Sequence, residues 1–302
     1  LDQLMNDEQM DFYKSNKEVD FSFEFADIAR FRVNAYMQLG KPAAALRLVL
    51  RKIPSIDELR LRAVCHWFSS LRQGLVLVTG PTGHGKSTTQ AAILHEINTS
   101  RSDHIVTIED PIEYVHVPDK CLISQREMHN DTLSWSVALR SVLREDPNVV
   151  LIGEMRDYET IESALTIAET GHLVFATLHT NSSAQTIDRI VSVFPAHQQN
   201  QIRMQLAAVL AGVLSQRLLP ALGGGRVVAY EILLNNPAIQ TSIRDGKTHM
   251  IDNVIMTSAD LGMCLLENTL GRYVNEQIVS QEVASSFAIR PEELYRQLHK
   301  RK

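Results

Sequence analysis

"LVLVTGPTGHGKSTT", residues 75–89, joins an apolar run to a glycine-rich turn and then to a helix-forming stretch. Gly80, Gly83 and Gly85 permit backbone angles that a Cβ disfavours, so successive N–H groups can curl around an anion. A helix beginning at Lys86 adds its free N–H groups and about half a positive charge. Lys86 brings an ammonium to the β- and γ-phosphates of a nucleotide, and the Ser87 hydroxyl a ligand for Mg²⁺. The pattern G-x4-G-K-[ST] thus reads as an ATP- and Mg²⁺-binding loop over Gly80, Pro81, Thr82, Gly83, His84, Gly85, Lys86, Ser87 and Thr88. His84 occupies a variable position where the main chain binds, so its side chain is not required. A loop of this composition also arises by chance, but here it falls between a predicted strand and a predicted helix, as the chemistry demands.

The flanking sequence supplies the sheet that such a loop needs. "HIVTIED" (104–110), "NVVLIG" (148–153) and "HLVFATLH" (172–179) are further apolar strands. Between them lie helical stretches, "LSWSVALRSVLRE" (133–145) and "DYETIESALTIAE" (157–169). The second places Ile161, Ala164, Leu165 and Ala168 on one helix face. Apolar strands alternating with amphipathic helices predict an α/β fold with a parallel sheet covered on both faces. "RLLPALGGGRVVAYEIL" (217–233) predicts a hairpin turning at Gly223 to Gly225, and short helices follow from Pro237.

Upstream, Glu18 to Leu50 opens with period-two alternation that sets Phe21, Phe23 and Phe25 on one side. "LGKP" (39–42) interrupts it, and a helical stretch with Ala45, Leu48 and Val49 is expected next, within a small α+β unit. "IPSIDEL" (53–59) reads as a linker ending in a helix start, with Ser55 as N-cap and Glu58 three residues on. These features divide the chain into 1–52, a linker at 53–58, and 59–302.

At 302 residues, 44% hydrophobic and 22% charged, the chain can bury a substantial core. No apolar run reaches the roughly 18–20 residues that span a bilayer. The three cysteines, far apart and odd in number, argue against a disulfide framework and point to a reducing cytoplasm. A net charge of −5 weighs against a nucleic-acid partner, which usually calls for a basic stripe.

Two further motifs bring carboxylates to strand ends. "VVLIGE" (149–154) leaves Glu154 at the carboxyl edge of the sheet, where open α/β folds bind ligands and an acid can hold the Mg²⁺ shell or polarise water. "TIEDPIEYVH" (107–116) clusters Glu109, Asp110 and Glu113, any of which could take a proton from an attacking water. His172 and His179 bracket one strand, about 23 Å apart at the usual rise, so they cannot share a metal. One is expected to sense the γ-phosphate and the other to pack structurally.

Together the motifs resemble the secretion ATPase superfamily, most closely the PilT-type retraction ATPases of type IV pili. The resemblance rests on "ARFRVN" (29–34), the loop at 80–87, "EDPIEYVH" (109–116), "VVLIGEMRD" (149–157), "TGHLVFATLHTN" (170–181), "IDRIVSVFP" (187–195) and the segment 214–233. It implies a RecA-like P-loop ATPase domain behind a small, partial PAS-like N-terminal domain already under way at residue 1. It also implies a homo-hexamer that hydrolyses ATP at the cytoplasmic face of the inner membrane, held there by a pilus platform protein. By the same resemblance Glu113, Glu154 and His179 stand near the γ-phosphate, and arginines of a neighbouring N-terminal domain approach it. Arg30, Arg32 and Arg47 match that region, Arg32 and Arg47 being preferred. Such an arginine contributes about 10³–10⁵ in rate where it acts as a finger.

The chain departs from the family in two places. It lacks the four-cysteine insertion of assembly and secretion ATPases, which favours the retraction branch, and Gln240 in "AIQTSIRD" (238–245) replaces an arginine of the retraction pattern. A conjugation or type IV-like secretion motor is the near alternative. A nucleic-acid translocase, a non-hydrolysing ring and a small-molecule kinase are the remote ones.

Overall fold

The computed structural model describes residues 3–26, 29–49, 52–61 and 63–299, without the side chains of residues 29 and 30. The chain opens with helix α1 (Asp7–Asn16) and three strands, β1 (Glu18–Phe25), β2 (Ala29–Gln38) and β3 (Lys41–Val49), which form an antiparallel sheet in the order β1-β2-β3. Asn6 and Gln9 exchange reciprocal bonds that cap α1, and its Tyr13 packs with Val19, Phe21, Val33 and Ala35 in a small core. Phe23 joins that core as predicted, whereas Phe25, at the sheet's end, is exposed.

The helix expected at Ala45 to Val49 is instead strand β3. Leu39 and Gly40 both have positive φ, 51° and 74°, the signature of a two-residue hairpin turn. That turn returns the chain onto β2, and the ladder pairing Met37 with Pro42 and Arg30 with Val49 overrides the helix propensity of an Ala/Leu-rich stretch. Pro42 is tolerated because β3 is an edge strand.

The connecting segment also differs from expectation. Ser55 and Glu58 do exchange bonds, Ser55 N–H to Glu58 Oε2 at 2.8 Å and Glu58 N–H to Ser55 Oγ at 3.1 Å, but they close only a turn. Helix α2 begins later, at Ala63–Ser70, and Ile56 and Leu61 of the connection are buried in the large domain's core.

That domain follows the order β4 (Gly74–Thr79), α3 (Lys86–Ser100), β5 (His104–Glu109), β6 (Leu122–Glu127), α4 (Trp135–Val142), β7 (Val149–Ile152), α5 (Tyr158–Glu169), β8 (Leu173–Leu178), α6 (Ser183–Ser192) and α7 (Gln199–Val209). The hairpin strands β9 (Leu210–Pro220) and β10 (Arg226–Leu234) come next, then α8 (Pro237–Arg244), α9 (Ile251–Thr257), α10 (Leu266–Asn275), α11 (Gln281–Phe287) and α12 (Pro291–His299). The seven strands are ordered β10-β9-β4-β8-β7-β5-β6 and all neighbours run parallel except the β9–β10 pair. Val76, Val149 and Leu173 point into one core and Leu77, Val150 and Val174 into the other, so the central strands are buried on both faces. This α/β architecture brings the carboxyl ends of β4, β8, β7 and β5 together, and the loops leaving them meet in one cleft.

The C-terminal helices are fastened to the sheet by charge. Glu231 of β10 and Glu267 of α10 are fully buried, and Arg290 reaches them at 3.0 and 3.2 Å while pairing with Asp252 through two bonds of 2.7 Å. Glu231 also accepts the Ser183 N–H at 2.7 Å, which ties the start of α6 into the same cluster.

Candidate active site

The glycine-rich loop lies between β4 and α3, where its sequence puts it, and Gly80, Gly83 and Gly85 all have positive φ. At Gly80 glycine is required twice over: φ is 143°, and a Cβ would collide with the Gln216 carbonyl of β9. Gln216 Nε2 donates to the His84 carbonyl at 2.7 Å, and His84 Nδ1 accepts the Leu218 N–H at 2.9 Å. Burial, then Arg217 and Lys86, hold the His84 pKa below the ordinary histidine value, in keeping with an acceptor Nδ1. His84 thus has a structural task the sequence did not disclose: it pins the loop to β9.

Lys86 is buried, its Nζ donating to the carbonyls of Gly80 at 2.8 Å and Pro81 at 3.1 Å. Burial lowers its pKa, while the charges of Glu154 and Glu113 oppose the shift. Lys86 also faces His179 Nδ1 at 3.5 Å, and Thr82 Oγ1 stands 3.3 Å from the same nitrogen. The other ring nitrogen, Nε2, lies 3.0 Å from Glu154 Oε1. With Nε2–H donating to the carboxylate, Nδ1 remains an acceptor for Thr82 or Lys86. Arg156 holds the second oxygen of Glu154 at 2.8 Å. Burial pushes the Glu154 pKa up, but Arg156 and His179 outweigh it and the net shift is downward.

A cleft of about 600 Å³ opens over these groups, within the range of cofactor and nucleotide sites. Thr82, Gly83, Gly85, Lys86, Ser87 and Thr88 line it, whereas Gly80, Pro81 and His84 of the same loop do not. Glu113, Glu154 and His179 face the same space, so the structure brings all three expected catalytic candidates together. His172 is elsewhere: it bonds Thr170 and the Ile167 carbonyl at the opposite end of β8. The three acids after β5 separate by environment. Asp110 and Glu113 are exposed, whereas Glu109 is buried against Thr107 and Gln125, and burial pushes its pKa up to about 7.

The N-terminal sheet forms the opposite wall. Arg32 and Arg47 are direct cross-strand partners, and both line the cleft of their own chain. Within one chain the small sheet already sits over the loop, and directly opposed strand residues project from the same face. Arg30 pairs through its backbone with Val49, but its side chain lies outside the described residues.

Several lining residues were not legible in advance. Arg156 was in plain view, two positions after Glu154, without a cue to its pairing. Gln90, Tyr114 and His116 line a recess beside α3, where Tyr114 Oη meets Thr88 Oγ1 at 2.9 Å. Burial, with a smaller contribution from His95, pulls the His116 pKa down to about 4. Ser87 and Glu154 both line the cleft, and a hydroxyl with a carboxylate is an oxygen donor set that would suit Mg²⁺ with part of its water shell retained.

The profile of the type II/IV secretion system protein family matches residues 61–224. A type IV pilus retraction ATPase, PilT, of Pseudomonas aeruginosa is 50% identical over 289 residues, covering 96% of this chain and 84% of that protein. A twitching motility protein of Neisseria gonorrhoeae is 49% identical, covering 93% of this chain and 75% of its own length. A crystal structure of the pilus retraction motor PilT with bound ADP superposes with a TM-score of 0.91 at 46% identity, covering 97% of this chain and 84% of that one. At such identity and coverage the chain belongs to the type II/IV secretion system protein family, among its PilT-type ATPases.

Proposed function

We propose that this chain is the Mg²⁺-dependent ATPase motor that powers type IV pilus retraction and hence twitching motility. The observation that carries the reading is convergence on one cleft: a phosphate loop with Lys86, the Glu154–His179 pair, Glu113, and two arginines from a separate sheet. In this reading the loop N–H groups and Lys86 grip the β- and γ-phosphates, and Glu113 and Glu154 orient the attacking water and take its proton. His179, bonded to Glu154, meets the γ-phosphate side. Arg32 and Arg47 neutralise charge that develops on the transferred phosphoryl group. Mg²⁺, when bound through Ser87 and the Glu154 side, supplies charge neutralisation of the phosphates.

Closure of the small sheet on ATP and its opening after hydrolysis would convert chemistry into domain rotation, since contacts present in only one state shift the equilibrium. The working form is a homo-hexamer of chains in which residues 1–52 act as the partial PAS-like domain and 59–302 as the RecA-like domain. No helix among the described residues is long and apolar enough to cross a membrane, so docking at the cytoplasmic face of the inner membrane falls to a platform protein. Gln240, in α8, keeps a related secretion motor as the second reading.

Purified protein should release inorganic phosphate from Mg·ATP, and deleting its gene should leave pili that extend but accumulate unretracted. Turnover that rises on adding DNA or RNA and collapses with salt would instead identify a nucleic-acid translocase. Normal retraction in the deletion strain would remove the pilus role while leaving the ATPase intact.

A further inference from the structure

Ser22, Arg32 and Arg47 form one row across the N-terminal sheet. Ser22 is the cross-strand partner of Arg32 on β2, and Arg32 that of Arg47 on β3. Both arginines of the row line the cleft, and its serine bridges to the other domain, Ser22 Oγ donating to Glu127 Oε1 at 2.7 Å. Glu127, at the end of β6, is 2% exposed. Its other oxygen accepts the Ile112 N–H at 3.1 Å, next to Glu113 in the chain, and Asn130 Nδ2 also donates to the carboxylate. A single buried carboxylate is thereby bonded to the row that carries the arginines and to the backbone that carries the acid.

We infer that Glu127 is a positioning residue, and that its bond with Ser22 is the latch that places Arg32 and Arg47 over the cleft while fixing the Glu113 segment. The inference deepens the proposed ATPase function and rests on it for its kinetic consequence. A hydroxyl bonded to a buried carboxylate is charge-assisted and orientation-dependent, so it acts only when the sheet is seated in one register. Because the same carboxylate holds Ile112, seating the sheet and ordering the loop before Glu113 are one event. Among the described residues no hydrogen bond or ion pair joins Lys86 or the phosphate loop to Ser22 or Glu127, so nucleotide affinity should change little when the latch is cut.

The test uses Ser22→Ala and Ser22→Thr, both conservative on a strand, with Glu127→Gln as the reciprocal change. Ser22→Ala should lower the kcat for Mg·ATP by about tenfold, the effect of losing one charge-assisted bond from the seated state, with KM within about twofold. Ser22→Thr, which keeps the hydroxyl, should restore turnover. In an Arg32→Ala/Arg47→Ala background the effect of Ser22→Ala on kcat should shrink, leaving only the part that acts through the Glu113 segment. Hydrogen exchange of the 109–116 segment in nucleotide-free protein supplies a readout independent of turnover. Exchange there should quicken in Ser22→Ala and in Glu127→Gln, and return to the parent rate in Ser22→Thr. Parent-rate exchange in Ser22→Ala, or an undiminished kcat in an active preparation, would overturn the latch. A parent protein without ATPase activity would sink the functional reading instead, and the exchange measurement would still decide the contact.

Discussion

His179 Nε2 stands 3.0 Å from Glu154 Oε1, and the same carboxylate is held from its other side by Arg156 at 2.8 Å. Two donors fix the orientation of an acid beside the phosphate loop and keep its pKa low, so it faces the cleft ionised. Replacing Glu154 by Gln keeps shape and polarity but removes the charge. ATP binding should survive, and turnover should fall by about 10²-fold or more. Phosphate release by the purified variant at the parent rate would show that this carboxylate has no part in hydrolysis.

Lys86→Ala should weaken nucleotide binding by about 10- to 150-fold. The ammonium bonds two loop carbonyls and lines the cleft, and a charge-assisted contact from it to a phosphate would contribute about 1.5–3 kcal/mol. Titration with a fluorescent ATP analogue checks the loss; an unchanged Kd would place the phosphates elsewhere.

The cis placement of Arg32 and Arg47 makes a sharper prediction than their charge alone. Alanine at both positions should lower kcat by at least about tenfold while ADP still binds. Mixing these chains with Lys86→Ala chains should rescue nothing, because both arginines line the cleft of their own chain. Recovery of activity in mixed assemblies would mean that the arginines work across protomers.

Glu109 links stability to pH. Its pKa is raised to about 7 by burial, above its value in an unfolded chain, so the folded state favours the protonated form. The resulting stability is fully present below about pH 4.5 and is lost as pH rises through about 7. Glu109→Gln, a neutral isostere, should remove this part of the slope and be the more stable protein at pH 8. Denaturant midpoints of both proteins from pH 5 to pH 8 measure it, and parallel curves would refute it.

Arg290→Met should destabilise the C-terminal helices severely. It leaves Glu231 and Glu267, both fully buried, without their cation, a loss of about 3–5 kcal/mol for a broken buried pair. Urea unfolding should show a lowered midpoint, and a shift under about 1 kcal/mol would mean that the carboxylates are neutralised some other way.

Much of the site was readable because its parts are local. The loop from Gly80 to Thr88 encodes its own conformation through glycine spacing, and strand periodicity alone puts Glu154 and the 109–113 acids at the carboxyl edge of a parallel sheet. The helix at 157–169 was legible for the same reason, since a stripe of apolar side chains repeating at helical spacing has one low-energy way to be buried. The strand at 41–49 was not. Its Ala/Leu composition favours a helix, and only pairing with β2 after a two-residue turn makes it a strand.

The amino-acid order by itself determined that this protein carries a nucleotide loop on an α/β sheet, because backbone freedom and side-chain period act between near neighbours. Tertiary structure alone decided which distant groups meet. It set Arg156 and His179 on either side of Glu154, put the His84 ring on β9, brought Arg32 and Arg47 to their own chain's cleft, and joined Ser22 to Glu127. Those contacts depend on how separate elements pack and on where charge can be buried with a partner, and neither is written in any single stretch of sequence.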